Sequence, residues 1–410
     1  MPVSSAQAGD RDSSALLAIA MVLVAINLRP AAASVGPLLG RIQTDSGLSA
    51  TGAGVLTTLP VLCFGALAPL APWLARRLGA RTAIAGALVV LLVGLLFRLV
   101  PGIVFLFFGT VLAGAAIATG NVLLPVPVGR DFSRRTGAMT GLYTSALIGF
   151  AALSAGVSVP LTNALGSGWR LGLAIWALPV AVALIAWAPA LAHRQPDPPS
   201  VAGAAVGMRG LLKDGLAWNV TLFFALQSAS FYATLSWLPS IFHSHGASES
   251  QAGLLLSLSM VVGLLTAIAV PSLAARARDQ RALVIGCCVL TALGWTGILL
   301  APMSAPYLWT VLLGLGQNAA FPLALMLIVL RGGSRSTAGL STLAQTVGYL
   351  LAASGPVAVG AIHQLTGSWT PCLLLLLGLL VPQALTGLIA GRDRLVASAA
   401  VSPSRALGAG

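Results

Sequence analysis

Arginine and amide side chains inside long apolar stretches are the residues of this sequence that could do chemistry. Arg29 lies in the apolar stretch 14–37, where a charged side chain costs about 2.5–3.5 kcal/mol unless it faces a cavity or a partner. Pro30 follows it and loosens the adjacent turn, because proline cannot donate a backbone hydrogen bond. A guanidinium placed there could bind an anion or a hydrogen-bond acceptor. The alternatives are snorkelling to a membrane surface and pairing with helix-end carbonyls.

Neutral polar side chains in other apolar stretches form a second set of candidates. Side-chain amides can orient a planar solute through paired donors and acceptors, and tyrosine rings can form the walls of such a site. The alternative is hydrogen bonding between helices, worth about 0.6 kcal/mol per bond. With Arg29, the predicted solute-binding residues are Asn27, Asn121, Gln227, Tyr232, Asn318, Gln345 and Tyr349.

Two further arginines are expected to lie at the membrane surface and not to bind a solute. Arg98 ends an apolar stretch just before Pro101, and we expect its side chain to snorkel to the membrane surface. Arg170 follows Trp169 and is expected to anchor the chain at the interface between membrane and water.

Catalytic and cofactor chemistry is not indicated by the sequence. The nine Asp and Glu residues lie outside the apolar stretches, and no Ser-His-Asp set is visible. The four cysteines lack C-x-x-C and zinc spacing, and His243 with His245 is a weak metal motif. Lys213 is the only lysine, so there is no P-loop. We predict no enzymatic activity, no metal and no other cofactor. A coupled proton would travel with the solute or use a boundary carboxylate or His363.

The composition is that of a protein embedded in a lipid bilayer. Of the 410 residues, 57% are hydrophobic and 8% are charged, whereas a soluble domain carries about 25% charged residues. The mean hydropathy is +0.95. These values exclude an ordinary soluble enzyme, a disordered chain and a disulfide-stabilised scaffold.

Apolar stretches of the length that crosses a bilayer, about 20 residues, occur twelve times. The sequence therefore predicts an all-α membrane protein with two six-helix halves, 1–192 and 217–410, joined by a Pro-rich linker at 193–216. The predicted spans are 14–37, 50–74, 82–100, 102–128, 137–161, 170–192, 217–240, 250–275, 282–301, 305–330, 337–362 and 370–391.

The distribution of basic residues predicts the orientation of these spans. With both termini on the cytoplasmic side, 18 of the 22 Lys and Arg residues fall in cytoplasmic segments, as the positive-inside rule requires. The net charge of +13 is thus explained by the membrane, and no nucleic-acid partner is predicted. We expect a multi-pass protein of a bacterial-type inner membrane, and we expect it to be a monomer.

The two halves resemble each other in sequence. Gly47, Gly54, Pro72, Leu74, Ala75 and Arg77 recur 199 residues later, as Gly246, Gly253, Pro271, Leu273, Ala274 and Arg276. The motif Asn121-x-x-x-Pro125 recurs as Asn318-x-x-x-Pro322. Two halves related in this way are typical of one large class of secondary transporters.

The layout and one connection of the chain resemble the major facilitator superfamily. The segment between the second and third spans in that superfamily usually reads G-x-x-x-D-R-x-G-R-R, and here it reads PWLARRLGAR at 72–81. Pro72 replaces the first glycine and Arg76 replaces the aspartate. The resemblance implies a fold of twelve helices and a gating role for Arg76, Arg77, Gly79 and Arg81.

A narrower branch, the cyanate permeases and nitroimidazole transporters, is also similar in sequence. Its motifs correspond to Asn27-Leu28-Arg29-Pro30, Leu59-Pro60-Val61 and Trp237-Leu238-Pro239. The resemblance implies alternating-access transport of a small anionic or polar planar solute, either secondary active or facilitative. An exporter of neutral drugs or metabolites is the alternative among transporters. A membrane sensor that transports nothing is the alternative of another class.

Overall fold

A computed structural model describes residues 4–67, 70–132, 136–166, 168–191 and 208–396 of the chain. The regular secondary structure of these residues is helical, as the sequence predicts. The N-terminal half contains α1 (Ser4–Asn27), α2 (Pro30–Ala33), α3 (Val35–Ser46), α4 (Ala50–Leu67), α5 (Leu70–Leu78), α6 (Ala80–Phe97), α7 (Ile103–Leu123), α8 (Pro125–Asp131), α9 (Thr136–Ala164), α10 (Trp169–Ala174) and α11 (Ala177–Leu191). The C-terminal half contains α12 (Met208–Leu211), α13 (Gly215–Ser244), α14 (Glu249–Arg276), α15 (Arg281–Leu300), α16 (Pro306–Ala352), α17 (Ser354–Thr366) and α18 (Thr370–Ala390).

The predicted linker coincides only partly with the described chain. Residues 193–207 lie outside the described residues, whereas 208–216 hold α12 and the start of α13. Asp214 begins α13, because its carboxylate accepts hydrogen bonds from the backbone N–H groups of Leu216 and Ala217. This N-cap satisfies two of the donors that a helix start leaves free.

Eleven helical stretches in the described residues are long and apolar enough to cross a membrane. They coincide with eleven of the twelve predicted spans. The remaining prediction, 217–240, coincides with α13, whose 30 residues are about 45 Å long at 1.5 Å per residue. Polar residues such as Gln227, Ser230 and Thr234 make α13 less apolar, and they are buried inside the bundle. The structure is consistent with twelve membrane-crossing helices.

The first membrane-crossing segment is divided into two helices, whereas α16 joins two membrane-crossing segments. The first segment is interrupted between α1 and α2 at Leu28 and Arg29, because Pro30 cannot donate to the carbonyl four residues earlier. Helix α16 consists of two arms, 306–332 and 334–352, that meet at Gly333, where φ is +55°. The arms correspond to two separate predicted spans, and glycine accommodates this φ without the steric penalty of a side chain.

The chain connections define two ends of the bundle. We name the end that contains the connections at 47–49, 165–168, 245–248 and 367–369 the α3 end, and the opposite end the α5 end. At the α3 end, Arg170 Nη1 donates to Asp45 Oδ2 over 2.7 Å, and Trp169 Nε1 donates to the same oxygen over 3.0 Å. These hydrogen bonds hold the pKa of the Asp45 carboxyl below its usual range.

The two halves pack against each other through α4 with α17, α9 with α14, and α3 with α13. Arg41 of α3 forms an ion pair with Glu249 of α14, in which Arg41 Nε donates to Glu249 Oε2 over 2.8 Å. The Thr51 backbone N–H donates to Gln364 Oε1 over 3.0 Å. Both contacts lie at the α3 end, which holds the halves together in this conformation.

Repeated glycines occupy equivalent places in these contacts between the halves. A Cβ atom on Gly54 of α4 would lie 2.7 Å from the Pro356 carbonyl oxygen in α17. A Cβ atom on Gly253 of α14 would lie 2.9 Å from the Ala155 carbonyl oxygen in α9. Glycine at these repeat positions permits the backbones to approach closely, as small residues commonly do between membrane helices.

Replacing these glycines tests the packing between the halves. We expect Gly54→Val and Gly253→Val each to lower the free energy of unfolding by about 1–3 kcal/mol, the usual cost of overpacking. The measurement is the melting temperature of purified protein in detergent. Gly86→Val is the matched control, since a Cβ atom there has no neighbour within 4 Å. Equal melting temperatures for the three variants would contradict this account of the contacts.

Candidate functional site

A cavity of about 550 Å³ lies between the two halves. Its volume is within the range of about 300–1,000 Å³ that is typical of small-molecule sites. Its N-terminal wall comes from α2, α3, α4, α7 and α9, and its C-terminal wall comes from α13, α14 and α16. Seven predicted residues line it, namely Arg29, Asn121, Gln227, Tyr232, Asn318, Gln345 and Tyr349.

Arg29 is positioned by the interruption between α1 and α2. Its backbone carbonyl accepts from the N–H groups of Ala32 and Ala33, both over 3.0 Å, so it starts the new helix while its side chain faces the cavity. The guanidinium lies close enough to interact electrostatically with the phenol groups of Tyr232 and Tyr349. Its Nε atom is buried and has no hydrogen-bond partner.

Carboxylates do not neutralise this arginine within the described part of the chain. The described acidic side chains lie at the two ends of the bundle and far along the chain from the interruption: Asp45, Asp131, Asp214, Glu249, Asp279 and Asp393. The ion pairs found among them involve Arg41, Arg81, Arg170, Arg281 and Arg331. Arg29 therefore gives the cavity a positive charge that is available to a solute.

Aromatic rings from both walls of the cavity form a cluster beside Arg29. The ring centroids of Tyr349 and Phe64 are 5.7 Å apart, and those of Tyr349 and Tyr232 are 6.4 Å apart. Phe231 packs edge-on against Tyr232 at 5.3 Å. Flat apolar faces of this kind accept planar solutes by stacking or by edge-to-face contact.

Two of the amide groups have their orientation determined by the backbone. Asn318 Nδ2 donates to the carbonyl oxygens of Ser259 and Gly314, each over 2.9 Å. Gln227 Nε2 donates to the Phe224 carbonyl over 3.1 Å and to Ser228 Oγ over 2.6 Å. Because carbonyls accept only, each amide keeps its oxygen as the remaining polar group. Gln227 Oε1 is buried without a partner.

The repeated Asn-x-x-x-Pro motif leaves a backbone carbonyl without its usual donor at each asparagine. Pro322 cannot donate to the carbonyl of Asn318, and Pro125 cannot donate to that of Asn121, because proline lacks the N–H group that an α-helix uses there. Both asparagines line the cavity. Each half therefore contributes a side-chain amide and a backbone carbonyl that lacks its usual helical partner.

Asn27 lies apart from the other predicted residues. It is 2% exposed, and its Nδ2 donates to the carbonyl oxygens of Leu23 over 2.7 Å and of Pro179 over 3.1 Å. It does not line the cavity. These bonds join α1 to the start of α11, so packing accounts for this residue and we leave it out of the site.

The predicted gating residues lie at the α5 end. Arg81 Nη2 donates to Asp131 Oδ2 over 2.8 Å, and Arg81 Nη1 donates to the Ala190 carbonyl over 3.2 Å. These contacts connect α6 with α8 and α11 inside one half. Gly79 has a φ of +82°, Arg77 lies over the Trp73 ring, and Arg76 is exposed. A gating role for these four residues stays a prediction.

Arg98 corrects one expectation from the sequence. It is 1% exposed and does not snorkel to the surface, because its Nη1 donates to the Ala31 carbonyl over 2.7 Å. Its Nε and Nη2 atoms are buried without partners. The side chain thus supports helix α2, two residues from Arg29.

The aromatic residues Phe64, Phe231 and Phe321 also line the cavity. The sequence does not indicate this, because phenylalanine is common in any apolar helix.

The histidines of the weak metal motif bind to their own loop. His243 Nδ1 contacts the Ala247 carbonyl over 2.9 Å, and His245 Nδ1 contacts the Ile241 carbonyl over 2.7 Å. No group of three or more His, Cys, Asp or Glu residues that could hold a metal occurs in the described chain.

Two helical halves around one solute-sized cavity in a membrane-spanning bundle define a membrane carrier. The chain belongs to the Major Facilitator Superfamily, whose family model matches residues 16–356. It is accordingly a multi-pass membrane transporter of small molecules and not an enzyme.

Relatives with similar sequences are transporters. The chain is 38% identical to the uncharacterized transporter YycB of Bacillus subtilis (strain 168), over 92% of this chain and 93% of that protein. It is 37% identical to a 2-nitroimidazole transporter of Escherichia coli (strain K12), over 92% and 96%. It is 32% identical to the cyanate transport protein CynX of Escherichia coli (strain K12), over 86% and 91%.

A solved structure has the same fold. The crystal structure of a point mutant of the nucleoside transporter NupG superposes with a TM-score of 0.76, covering 91% of this chain and 99% of that chain at 14% identity. The predicted major facilitator fold is confirmed.

The contact of Arg98 with α2 predicts different effects on stability and on binding. We expect Arg98→Met to leave the melting temperature unchanged or higher, because it removes buried donors that lack partners. The same variant is expected to weaken solute binding by about 1 kcal/mol, since the Ala31 carbonyl loses its hydrogen bond. Melting temperature and ligand affinity of the purified protein are the measurements.

The control for this test is Arg170→Met at the α3 end. Its ion pair with Asp45 is partly exposed, and such pairs contribute about 0–1 kcal/mol. Unchanged affinity in Arg98→Met would show that Arg98 does not support the site.

Proposed function

We propose that this transporter moves small anionic or polar planar solutes, cyanate-like or nitroimidazole-like, by alternating access. The observation that carries the proposal is Arg29, which lines the central cavity at a helix interruption without a described carboxylate partner. A desolvated guanidinium in this setting is stabilised by a negatively charged or acceptor-bearing solute. The names of the nitroimidazole and cyanate relatives support the same solute class.

Different residues of the cavity would bind different parts of the solute. Arg29 would bind the negative or acceptor-bearing edge of the solute. Amides from both halves, Asn121, Gln227, Asn318 and Gln345, would orient it through hydrogen bonds. Tyr232 and Tyr349, which belong to the aromatic cluster beside Arg29, would contact its flat face.

Alternating access would move the two halves about this cavity. We propose that the α5 end faces the cytoplasm, together with both termini, as the positive-inside rule predicts for an inner membrane. The conformation described is then closed on the outer side, where α3 contacts α13 and Arg41 pairs with Glu249. Opening of the outer side would separate this ion pair, because Arg41 and Glu249 belong to different halves.

Coupling to protons would use the solute itself or groups near the membrane boundaries. The described carboxylates lie at the ends of the bundle, and a protonated weak acid could carry its proton through the cavity. We propose that the transporter works as a monomer, because one chain encloses the whole cavity.

Replacement of Arg29 tests the proposed function. We expect Arg29→Gln to lower the transport efficiency for anionic solutes by about ten- to a hundredfold, which corresponds to losing one charge-assisted hydrogen bond of about 1.5–3 kcal/mol. The measurement is uptake of labelled cyanate and of 2-nitroimidazole into vesicles reconstituted with purified protein.

Arg281→Gln is the control for this experiment, because Arg281 is exposed and bonds to Asp279 at the α5 end. Wild-type transport by Arg29→Gln would overturn the proposal. It would favour the exporter of neutral compounds, which predicts transport that does not depend on solute charge. Absence of transport of every solute by the wild type would favour the membrane sensor.

A further inference from the structure

Arg29 and Asn318 present opposite hydrogen-bonding character to the cavity from its two walls. The N-terminal wall presents the cation of Arg29. On the C-terminal wall, both N–H groups of the Asn318 amide are directed to the carbonyls of Ser259 and Gly314. Asn318 Oδ1 is consequently the atom of this amide that a solute can reach, and it can only accept a hydrogen bond.

Two more oxygen atoms in this half lack a hydrogen-bond donor. The backbone carbonyl of Asn318 lacks a helical donor because Pro322 follows four residues later. Gln227 is 3% exposed, and its Oε1 is buried without a partner. A buried acceptor without a donor is unfavourable by about 1–3 kcal/mol, so Gln227 is stabilised when its side chain turns toward a solute that brings an N–H or O–H group to this wall.

A simple anion uses only the Arg29 side of this arrangement. Its charge would be attracted to Arg29 but repelled by the oxygen atoms of Asn318 and Gln227. A small linear anion would also leave most of the 550 Å³ unfilled. A cation would be repelled by Arg29. A solute with a negative or acceptor group on one edge and a donor on the other satisfies both walls.

We propose that this site selects planar solutes with a hydrogen-bond donor on the edge opposite their anionic or acceptor group, such as an azole with a free ring N–H. The donor binds the acceptors of Asn318 and Gln227, while the other edge binds Arg29. This inference rests on the proposed function and specifies its solute class. Such a solute bridges the two halves of the protein, so its binding energy also stabilises the closure of the halves around it.

Matched azoles test the proposal on the purified wild-type protein. The probes are 2-nitroimidazole, its N-methyl derivative, which has no donor, and its ring-carbon methyl isomer, which has the same size but keeps the N–H. We expect N-methylation to weaken binding about tenfold, the effect of one lost hydrogen bond to a buried acceptor. Methylation at carbon is expected to change affinity less than about threefold. Isothermal titration gives the affinities.

Variants identify the residues that accept the hydrogen bond from the N–H group of the solute. We expect Asn318→Leu to abolish the preference, so that the N–H azole and the N-methyl azole bind with about equal affinity. Gln227→Leu is the second variant, in case loss of the Ser259 and Gly314 bonds destabilises the first, and it is expected to reduce the preference in the same direction. Asn219→Leu is the matched control, because Asn219 lies outside the cavity on α13 and bonds to the Gly215 carbonyl. Arg29→Gln should weaken all the azoles together and leave the preference unchanged.

The outcomes separate this inference from the proposed function. Equal affinity for the N–H and N-methyl azoles overturns the inference, while sensitivity of both to Arg29→Gln keeps the proposed function. A preference of wild-type size in both Asn318→Leu and Gln227→Leu also overturns it. Failure of the wild type to bind azoles or cyanate overturns both.

Discussion

A guanidinium held inside a lipid bilayer is the constraint on which the rest of this structure depends. Hydrocarbon cannot solvate the charge of Arg29, so the surrounding helices must present polar atoms to it. They do so through an interrupted first helix, two phenol groups and a cavity between the halves. Arg98 contributes to this arrangement indirectly, because its hydrogen bond to the Ala31 carbonyl supports the short helix that follows Arg29. Two cations close to one helix interruption make this region favourable for a solute that brings negative charge or acceptor atoms.

The internal repeat gives the transporter its pseudo-symmetric architecture. Gly54 and Gly253, which correspond in the repeat, allow close contact at the two equivalent interfaces between the halves. Asn121 and Asn318, which also correspond, both line the cavity. The repeat is nevertheless asymmetric at the cavity, because Arg29 has no basic counterpart among the described residues of the C-terminal wall. A solute that binds both Arg29 and the acceptor of Asn318 therefore bridges the halves.

The contacts between the halves would change in the proposed alternating access. The contacts between the halves include the close glycine contacts, α4 with α17 and α14 with α9, and the contacts at the α3 end. Arg41 and Glu249 join the halves there through an ion pair of partly exposed side chains, which is an interaction of modest energy. In the proposed alternating access, the contacts at the α3 end would open and close beside the cavity.

The sequence by itself determined the membrane class, the span positions, the two-half layout and the family resemblance. This was possible because bilayer thickness sets the length of apolar stretches, and because the repeat motifs survive in the linear chain. Tertiary structure alone decided which polar residues reach the cavity. Asn27 and Asn121 are both amides in apolar helices, yet one bonds to Pro179 and the other lines the cavity. Arg98 could not be distinguished in the sequence from a surface arginine, since the face that a helix turns inward depends on its packing against neighbours that are distant along the chain.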